Sequence, residues 1–194
     1  MKFSCEKALL QSMIAIASRA VAPKSTIPAL EGVLLEAEQE LNLTGYNLKT
    51  GIRGTISADI SEPGSIVLSA RLFGDIIRRL PDDVVTLSTD DLMVNITCGM
   101  SEFNILGMDP SQFPELPAVE YQNSMILPQR ILHSMITETI FAVSTNDSRP
   151  IHTGELFERD GEGMLTVVAV DGYRLALRRE TTQLNVSETA CQFV

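Results

Sequence analysis

The sequence contains few of the residues on which metal binding, disulfide bonding and base stacking depend. Its 194 residues include no tryptophan, three cysteines, two histidines and only 5% aromatic residues. The cysteines, Cys5, Cys98 and Cys191, are widely separated, unlike the paired cysteines of a zinc site or a disulfide framework. They are typical of small buried side chains in a reducing compartment. We therefore expect no metal and no cofactor.

Catalytic motifs are scarce as well. The sequence has neither a glycine-rich phosphate-binding loop nor a nucleophile elbow. His133 and His152 are not at metal-ligand spacing, and Asp171 precedes a glycine, where aspartate usually forms a turn. The chain is therefore predicted not to be an enzyme. One alternative stays open, a nucleic-acid-processing enzyme in which Asp171 and His152 are catalytic.

The sequence also has fewer basic than acidic residues and lacks long apolar segments. The chain has 15 basic and 25 acidic residues and a net charge of −10. Such a surface does not attract nucleic acid as a whole, so any nucleic-acid site needs a local group of cations. No apolar run approaches the roughly 20 residues of a membrane helix, and the N-terminal residues Met1–Glu6 lack the features of a signal peptide. We expect a cytoplasmic protein with no membrane partner.

What the sequence does contain is an internal repeat. Ser12-Met13-Ile14 recurs 122 positions later as Ser134-Met135-Ile136, and Leu34-Leu35-Glu36 recurs as Leu156-Phe157-Glu158. Two inserted residues then change the offset to 124, which aligns Asn47 with Asp171. Asp171-Gly172 lies between apolar runs and is a strong hairpin signal. We interpret the chain as two copies of one unit.

The repeat predicts the domain organisation. Domain one is expected over residues 1–118 and domain two over residues 119–194, joined by a proline-containing segment at 109–123. Residue 194 corresponds to residue 70 of the first copy, since the offset is 124. We therefore expect domain two to be truncated near its midpoint, and the chain to be a fragment.

Hydrophobic periodicity predicts that the first copy contains the order strand, helix and three strands twice, and that the second copy begins the same order again. The predicted apolar face of the first helix consists of Leu9, Leu10, Met13, Ile16, Ala17 and Ala20. The predicted helices cover 6–21, 70–80 and 128–143. The predicted strands cover 1–5, 30–38, 40–46, 49–60, 65–69, 83–89, 92–98, 101–108, 124–127, 151–158, 164–170 and 173–180, and a last one begins near Thr189.

Many of the cations fall on predicted helices or on the loops that follow them. If the helices share one side of the molecule, that side is basic while the sheets are acidic. A basic face without aromatic platforms would bind phosphates rather than distinguish bases. The residues concerned are Lys7, Arg19, Lys24, Arg71, Arg78, Arg79, Arg130 and Arg149.

Five features in this order together resemble the family of bacterial DNA sliding clamps, the beta subunit of DNA polymerase III. They are the Met-Lys-Phe start, Lys24–Leu30, Leu43-Thr44-Gly45, Phe113-Pro114 and Val170–Ala176. The resemblance implies an α+β clamp fold with helices on one face and antiparallel sheets on the other. It also implies a non-enzymatic processivity factor, a homodimeric ring with three like domains per protomer that encircles double-stranded DNA without sequence specificity.

The resemblance further implies two sets of site residues. Lys24, Arg71, Asn146 and Arg149 would contact DNA. His152, Val170, Gly172, Tyr173, Arg174 and Leu175 would form the second-domain wall of a pocket for short peptides of the polymerase and the clamp loader. A second alternative also stays open, a peptide- or ligand-binding module unrelated to DNA that uses only the Tyr173-Arg174 hairpin.

The same resemblance predicts the behaviour of the isolated chain. The ring of the family closes between the first domain of one protomer and the third domain of the other. We expect the third domain to be absent from this chain, so the strand at 101–108 would be an unpaired edge. We expect a monomer or a non-native dimer, and weaker peptide binding than a full-length protein would show.

Overall fold

The computed structural model describes residues 1–118, 126–160, 162–181 and 190–193. The chain divides into two compact units, Met1–Ala118 and Val119–Val194. The first unit, called unit 1, contains two helices and nine strands. They are β1 Lys2–Glu6, α1 Lys7–Ala17, β2 Gly32–Ala37, β3 Leu41–Tyr46, β4 Gly51–Ile56, β5 Asp59–Glu62, β6 Gly64–Ser69, α2 Ala70–Arg79, β7 Val84–Asp90, β8 Met93–Cys98 and β9 Ser101–Leu106.

The strands of unit 1 form two antiparallel sheets. One has the order β5-β1-β7-β8-β9 and the other β4-β3-β2-β6. Alternating residues such as Leu41 and Leu43 enter one core, which both sheets and both helices build. Within the described residues β9 pairs only with β8 and is an edge strand.

The strand predicted at 49–60 is two strands in the structure. β4 pairs with β3, whereas β5 pairs with β1 in the other sheet. The half-buried residues Ile52, Ile56 and Ile60 keep their alternation across this change of sheet. Periodicity reports which side of a strand is buried and not which strand is its partner, so the single-strand prediction was wrong.

The predicted apolar face of α1 was also partly wrong. Leu9 and Ile16 are exposed, whereas Leu10, Met13, Ile14 and Ala17 are buried. The helix is apolar over most of its circumference, so its spacing fits two stripes. The stripe that is buried packs against α2, β3 and β4, and its Ile14 lies next to Gly74 of α2.

The described residues of the second unit, called unit 2, form one α-helix and four strands. They are α3 Gln129–Thr139, β10 Leu156–Arg159, β11 Met164–Val170, β12 Leu175–Thr181 and β13 Ala190–Phe193, with the antiparallel order β12-β11-β10-β13. The strand predicted at 151–158 begins only at Leu156, because Pro150–Thr153 forms a 3-10 turn. Of the strand predicted at 124–127, residues 124 and 125 lie outside the described residues, and Ile126 and Leu127 are not in a strand.

Hydrogen bonds show that the sequence repeat is also a structural repeat. After α1 the N–H of Ala22 donates to the carbonyl of Leu30 (3.0 Å), and after α3 the N–H of Ser144 donates to the carbonyl of His152 (2.8 Å). Ala22 and Ser144 occupy equivalent positions in the two copies, 122 residues apart, and so do Leu30 and His152. Each bond fixes the loop that follows the helix against the 3-10 turn before the next strand.

Candidate functional sites

The β11–β12 hairpin is held at its tip by Asp171. The Oδ1 atom of Asp171 accepts from the backbone N–H groups of Tyr173 and Arg174, both at 3.0 Å. Its Oδ2 atom accepts from Arg174 Nε at 2.7 Å, and Gly172 supplies the positive φ of +93° that the turn needs. All the carboxylate contacts are therefore internal to the turn, which argues against Asp171 as a catalytic group.

The corresponding hairpin of unit 1 has the same construction. Asn47 Oδ1 accepts from the N–H groups of Lys49 (3.0 Å) and Thr50 (2.7 Å), and Leu48 has a φ of +71°. Asn47 and Asp171 differ in charge but accept the same two bonds. The turn thus depends on an oxygen acceptor at this position, and the carboxylate of Asp171 adds the ion pair with Arg174.

The carboxylate also makes the hairpin of unit 2 sensitive to acid. The N–H of Tyr173 has the largest effect and, together with the N–H, the guanidinium hydrogen bond and the positive charge of Arg174, holds the pKa of Asp171 below its usual value, although burial opposes this shift. Because the pKa is lowered, the ionised Asp171 carboxylate stabilises the turn fully above the unfolded-state pKa of about 3.9. This stabilisation is lost as the pH falls through the lower folded-state pKa.

We expect an NMR pH titration to show this loss at the amide resonances of Tyr173 and Arg174, with a midpoint below that of a free aspartate. The amides of Lys49 and Thr50 provide a matched control, because Asn47 does not titrate. Asp171→Asn should keep both backbone bonds and remove the transition. A transition that persists in Asp171→Asn would contradict this assignment.

Behind the tip, one face of the sheet of unit 2 is apolar and partly open. Val170 lies opposite Leu175, and Val168 lies opposite Leu177. Leu175 is 63% exposed and Tyr173 is fully exposed. Leu177 was not among the predicted site residues, although the alternation of β12 places it on the face of Leu175. The structure thus brings Val170, Gly172, Tyr173, Arg174 and Leu175 together at one end of the hairpin.

His152, the remaining predicted peptide-site residue, lies outside the β11–β12 hairpin. It lies half-buried in the 3-10 turn Pro150–Thr153, and its carbonyl accepts from Ser144. The preceding Val143 packs against Ala169 and Ala176, the inward-facing residues at the base of the hairpin. The turn that carries His152 is therefore joined to the hairpin through the loop after α3.

The predicted DNA-contacting residues of unit 1 are exposed cations. Lys24 lies in the loop after α1, and Arg71 lies in the first turn of α2. Among the described residues, neither side chain has a carboxylate within ion-pair distance, and the same is true of Arg19 and Arg79. Their charge is therefore free to meet phosphate oxygens.

Two other cations of the predicted basic face are already neutralised. Lys7 Nζ lies 2.8 Å from Asp82 Oδ1, and only 12% of the Lys7 side chain is exposed. Arg78 pairs with Asp75 at 2.7 Å on the same helix. Lys7 and Arg78 therefore belong to the predicted basic group but already have carboxylate partners, Lys7 on the segment after α2 and Arg78 within α2.

In unit 2 the predicted residues Asn146 and Arg149 lie in one exposed loop. Asn146 Oδ1 accepts from the N–H of Ser148 (3.0 Å), and the carbonyl of Asn146 accepts from the N–H of Arg149 (3.4 Å). Asn146 is the repeat equivalent of Lys24, 122 positions later. Each copy thus presents a polar or basic loop immediately after its first helix.

Two copies of one unit, each with a helix packed on an antiparallel sheet and a polar or basic loop after its first helix, define a clamp-type protein. Residues 1–117 match the family described as DNA polymerase III beta subunit, N-terminal domain, and residues 126–194 match its central domain. The chain belongs to the DNA polymerase III beta subunit family.

Relatives and solved structures agree with this assignment. The beta sliding clamp of Halalkalibacterium halodurans is 35% identical over 97% of the chain, and that of Staphylococcus aureus strain N315 is 38% identical over 92%. The chain spans about half the length of these relatives, 52% and 50%.

The crystal structure of the DNA polymerase sliding clamp from Bacillus subtilis has a TM-score of 0.94 and 31% identity, over 100% of this chain and 53% of that one. A sliding clamp from Pseudomonas aeruginosa bound to griselimycin has a TM-score of 0.94 and 29% identity, over the same shares. The predicted α+β clamp fold is confirmed. No helix in the described part of the chain is long and apolar enough to span a bilayer.

Proposed function

We propose that this chain supplies clamp domains to a ring that encircles duplex DNA and acts as a processivity factor for a replicative polymerase. The observation that carries the proposal is that a duplicated clamp fold, in a chain of net charge −10, has exposed cations beside its helices that form no ion pair with any described residue. Local cations attract phosphates, while the acidic remainder discourages DNA from binding elsewhere. Such a ring would act in the cytoplasm and carry out no catalysis of its own.

The proposed DNA contacts are Lys24 and Arg71 in unit 1, and Asn146 and Arg149 in unit 2. A lysine, an asparagine and two arginines on loops and a helix start favour sequence-independent contact with the backbone. Ring closure would use β9, since this edge strand presents unpaired backbone groups.

We expect neutralisation of Lys24 and Arg71 to weaken duplex binding and to flatten its salt dependence. Each lost phosphate contact should reduce the slope of log K against log salt by about 0.9, so Lys24→Gln with Arg71→Gln should reduce it by roughly 1.8. Fluorescence anisotropy of a labelled duplex over a salt series measures both effects.

Lys49→Gln serves as the control for this experiment. Lys49 is an exposed cation at the β3–β4 hairpin tip, outside the helices and the loops that follow them in the chain. Its removal changes the net charge by the same amount per residue but should leave the slope unchanged. If Lys49→Gln lowers the slope as much as Lys24→Gln or Arg71→Gln does alone, DNA contacts the whole surface of the protein. The assignment of Lys24 and Arg71 as DNA contacts would then be wrong.

We also propose that the tip of the β11–β12 hairpin binds short peptides with apolar anchor residues. These peptides would belong to a polymerase and a clamp loader. Val170 and Leu175 would form the apolar floor, with Tyr173 and Arg174 as polar groups at the rim. His152 would contribute from the neighbouring turn. A module that binds peptides without any role on DNA is less well supported, because it leaves the unpaired cations unexplained.

A further inference from the structure

The loop that carries Lys24 is held by hydrogen bonds on both sides of that residue. On one side, the N–H of Ala22 donates to the carbonyl of Leu30 at 3.0 Å. On the other side, the N–H of Ser25 donates to Glu31 Oε1 at 3.0 Å. Only a proline and Lys24 lie between the two donors, and the ring of the proline fixes its φ angle. The backbone at Lys24 therefore has little freedom while both bonds persist.

The two bonds differ in what they require of the sequence. The bond from Ala22 joins two backbone groups and does not depend on any side chain. The bond from Ser25 needs a side-chain acceptor, which Glu31 supplies from the end of the 3-10 turn Pro28–Glu31. Ser25 also closes a local turn, because its Oγ atom accepts from the N–H of Ile27 at 3.1 Å. The Glu31 side chain thus ties this local turn to the 3-10 turn that follows it.

Among the described residues, unit 2 has the first of these bonds without the second. Its loop after α3 keeps the backbone bond from Ser144 to His152. Thr153 is the equivalent of Glu31, 122 positions later, and its Oγ1 atom donates to the carbonyl of Pro150 at 2.7 Å instead. The carboxylate tie is therefore a feature of the lysine-carrying loop and not of the repeat.

The charge of Glu31 would by itself weaken the attraction of this loop for DNA. A carboxylate beside a cation lowers the local positive potential that phosphates meet. Glu31 forms no ion pair with Lys24 or with any other described residue. Its one hydrogen bond to the backbone N–H of Ser25 is of the charge-assisted kind, which is stronger than a bond between neutral groups. The bond to Ser25, and not a contact with Lys24, therefore accounts for a carboxylate at this position.

We propose that Glu31 is a positioning residue for the contact between Lys24 and DNA. This role rests on the DNA contact proposed above for Lys24. A loop that is already ordered loses less conformational entropy on binding than a mobile loop of the same charge. Without the bond from Ser25 to Glu31, Lys24 keeps its charge, but binding to a phosphate must also order the loop.

The test compares Glu31→Gln with Glu31→Ala in the 194-residue chain. Both variants remove the same negative charge, but the amide oxygen of glutamine can still accept from the N–H of Ser25. We expect Glu31→Ala to bind a labelled duplex about 2- to 10-fold more weakly than Glu31→Gln in fluorescence anisotropy, the range of one hydrogen bond. Amide hydrogen exchange at Ser25 should be faster in Glu31→Ala, whereas exchange at Ala22 should be alike in the two variants.

The same two substitutions in a Lys24→Gln background separate positioning from a general effect on the fold. If Glu31 acts through Lys24, the difference in duplex affinity between the two variants should nearly vanish there. Equal affinities of Glu31→Gln and Glu31→Ala, or a difference that persists without Lys24, would overturn the positioning role even where Lys24→Gln alone weakens binding. If Lys24→Gln alone leaves duplex binding unchanged, the proposed DNA contact is wrong and the positioning role is overturned with it.

Discussion

Replacing Gly45 with alanine should destabilise unit 1 by about 2–3 kcal/mol or more. A Cβ at this position would overlap the carbonyl oxygen of Ala17 and lie 2.8 Å from its carbonyl carbon. Both are backbone atoms at the last turn of α1, so no side-chain rotation can relieve the overlap. Gly45 itself is paired with Ile52 in the sheet, so β3 cannot retreat without breaking its ladder. Urea unfolding should show a lower midpoint with an unchanged m-value.

Gly74→Ala provides the control, because it adds the same methyl group where there is room. The nearest atom to the added Cβ is Ile14 Cγ2, at 3.5 Å, an ordinary contact. Gly74 lies inside α2, where alanine is favoured over glycine, so we expect a gain of about 0.5–1 kcal/mol. Equal midpoints for the two variants would show that α1 can shift away from β3 at little cost.

The repeat made the fold predictable, but it does not reveal the requirement at Gly45. The equivalent position of unit 2 is Ala169, which is buried beside Ala142. Unit 2 therefore accommodates a Cβ where unit 1 does not. The distance between a helix end and a strand is set by packing over the whole unit, and a single position in a sequence pattern carries no information about it.

The hairpins were the most predictable parts of the candidate site, since their geometry is local. Asp171-Gly172 forms the expected turn, and the hydrogen bonds of Asn47 repeat it in unit 1. Less was predictable where a long-range partner decides the outcome. The ion pair between Lys7 and Asp82 joins residues 75 positions apart, so no local pattern indicates that Lys7 is neutralised.

The second large effect is expected at the apolar end of the hairpin of unit 2. Leu175→Ala should weaken binding of a short peptide with two apolar anchor residues by about 5- to 30-fold, the range for loss of an interface anchor of 1–2 kcal/mol. Leu175 is 63% exposed and lies opposite Val170, so its removal opens the apolar floor without emptying the core. For the same reason the free energy of unfolding should change little.

Leu48→Ala is the matched variant for this measurement. Leu48 is 56% exposed at the tip of the equivalent hairpin of unit 1, so it removes a similar apolar surface from the other copy. NMR titration with excess peptide detects binding even where it is weak, and duplex binding measured in parallel should be unaffected by either variant. A loss of peptide affinity in Leu175→Ala alone supports the hairpin as the binding surface. Equal affinities for the wild type and Leu175→Ala would mean that the hairpin only shapes the sheet and that peptides bind another surface.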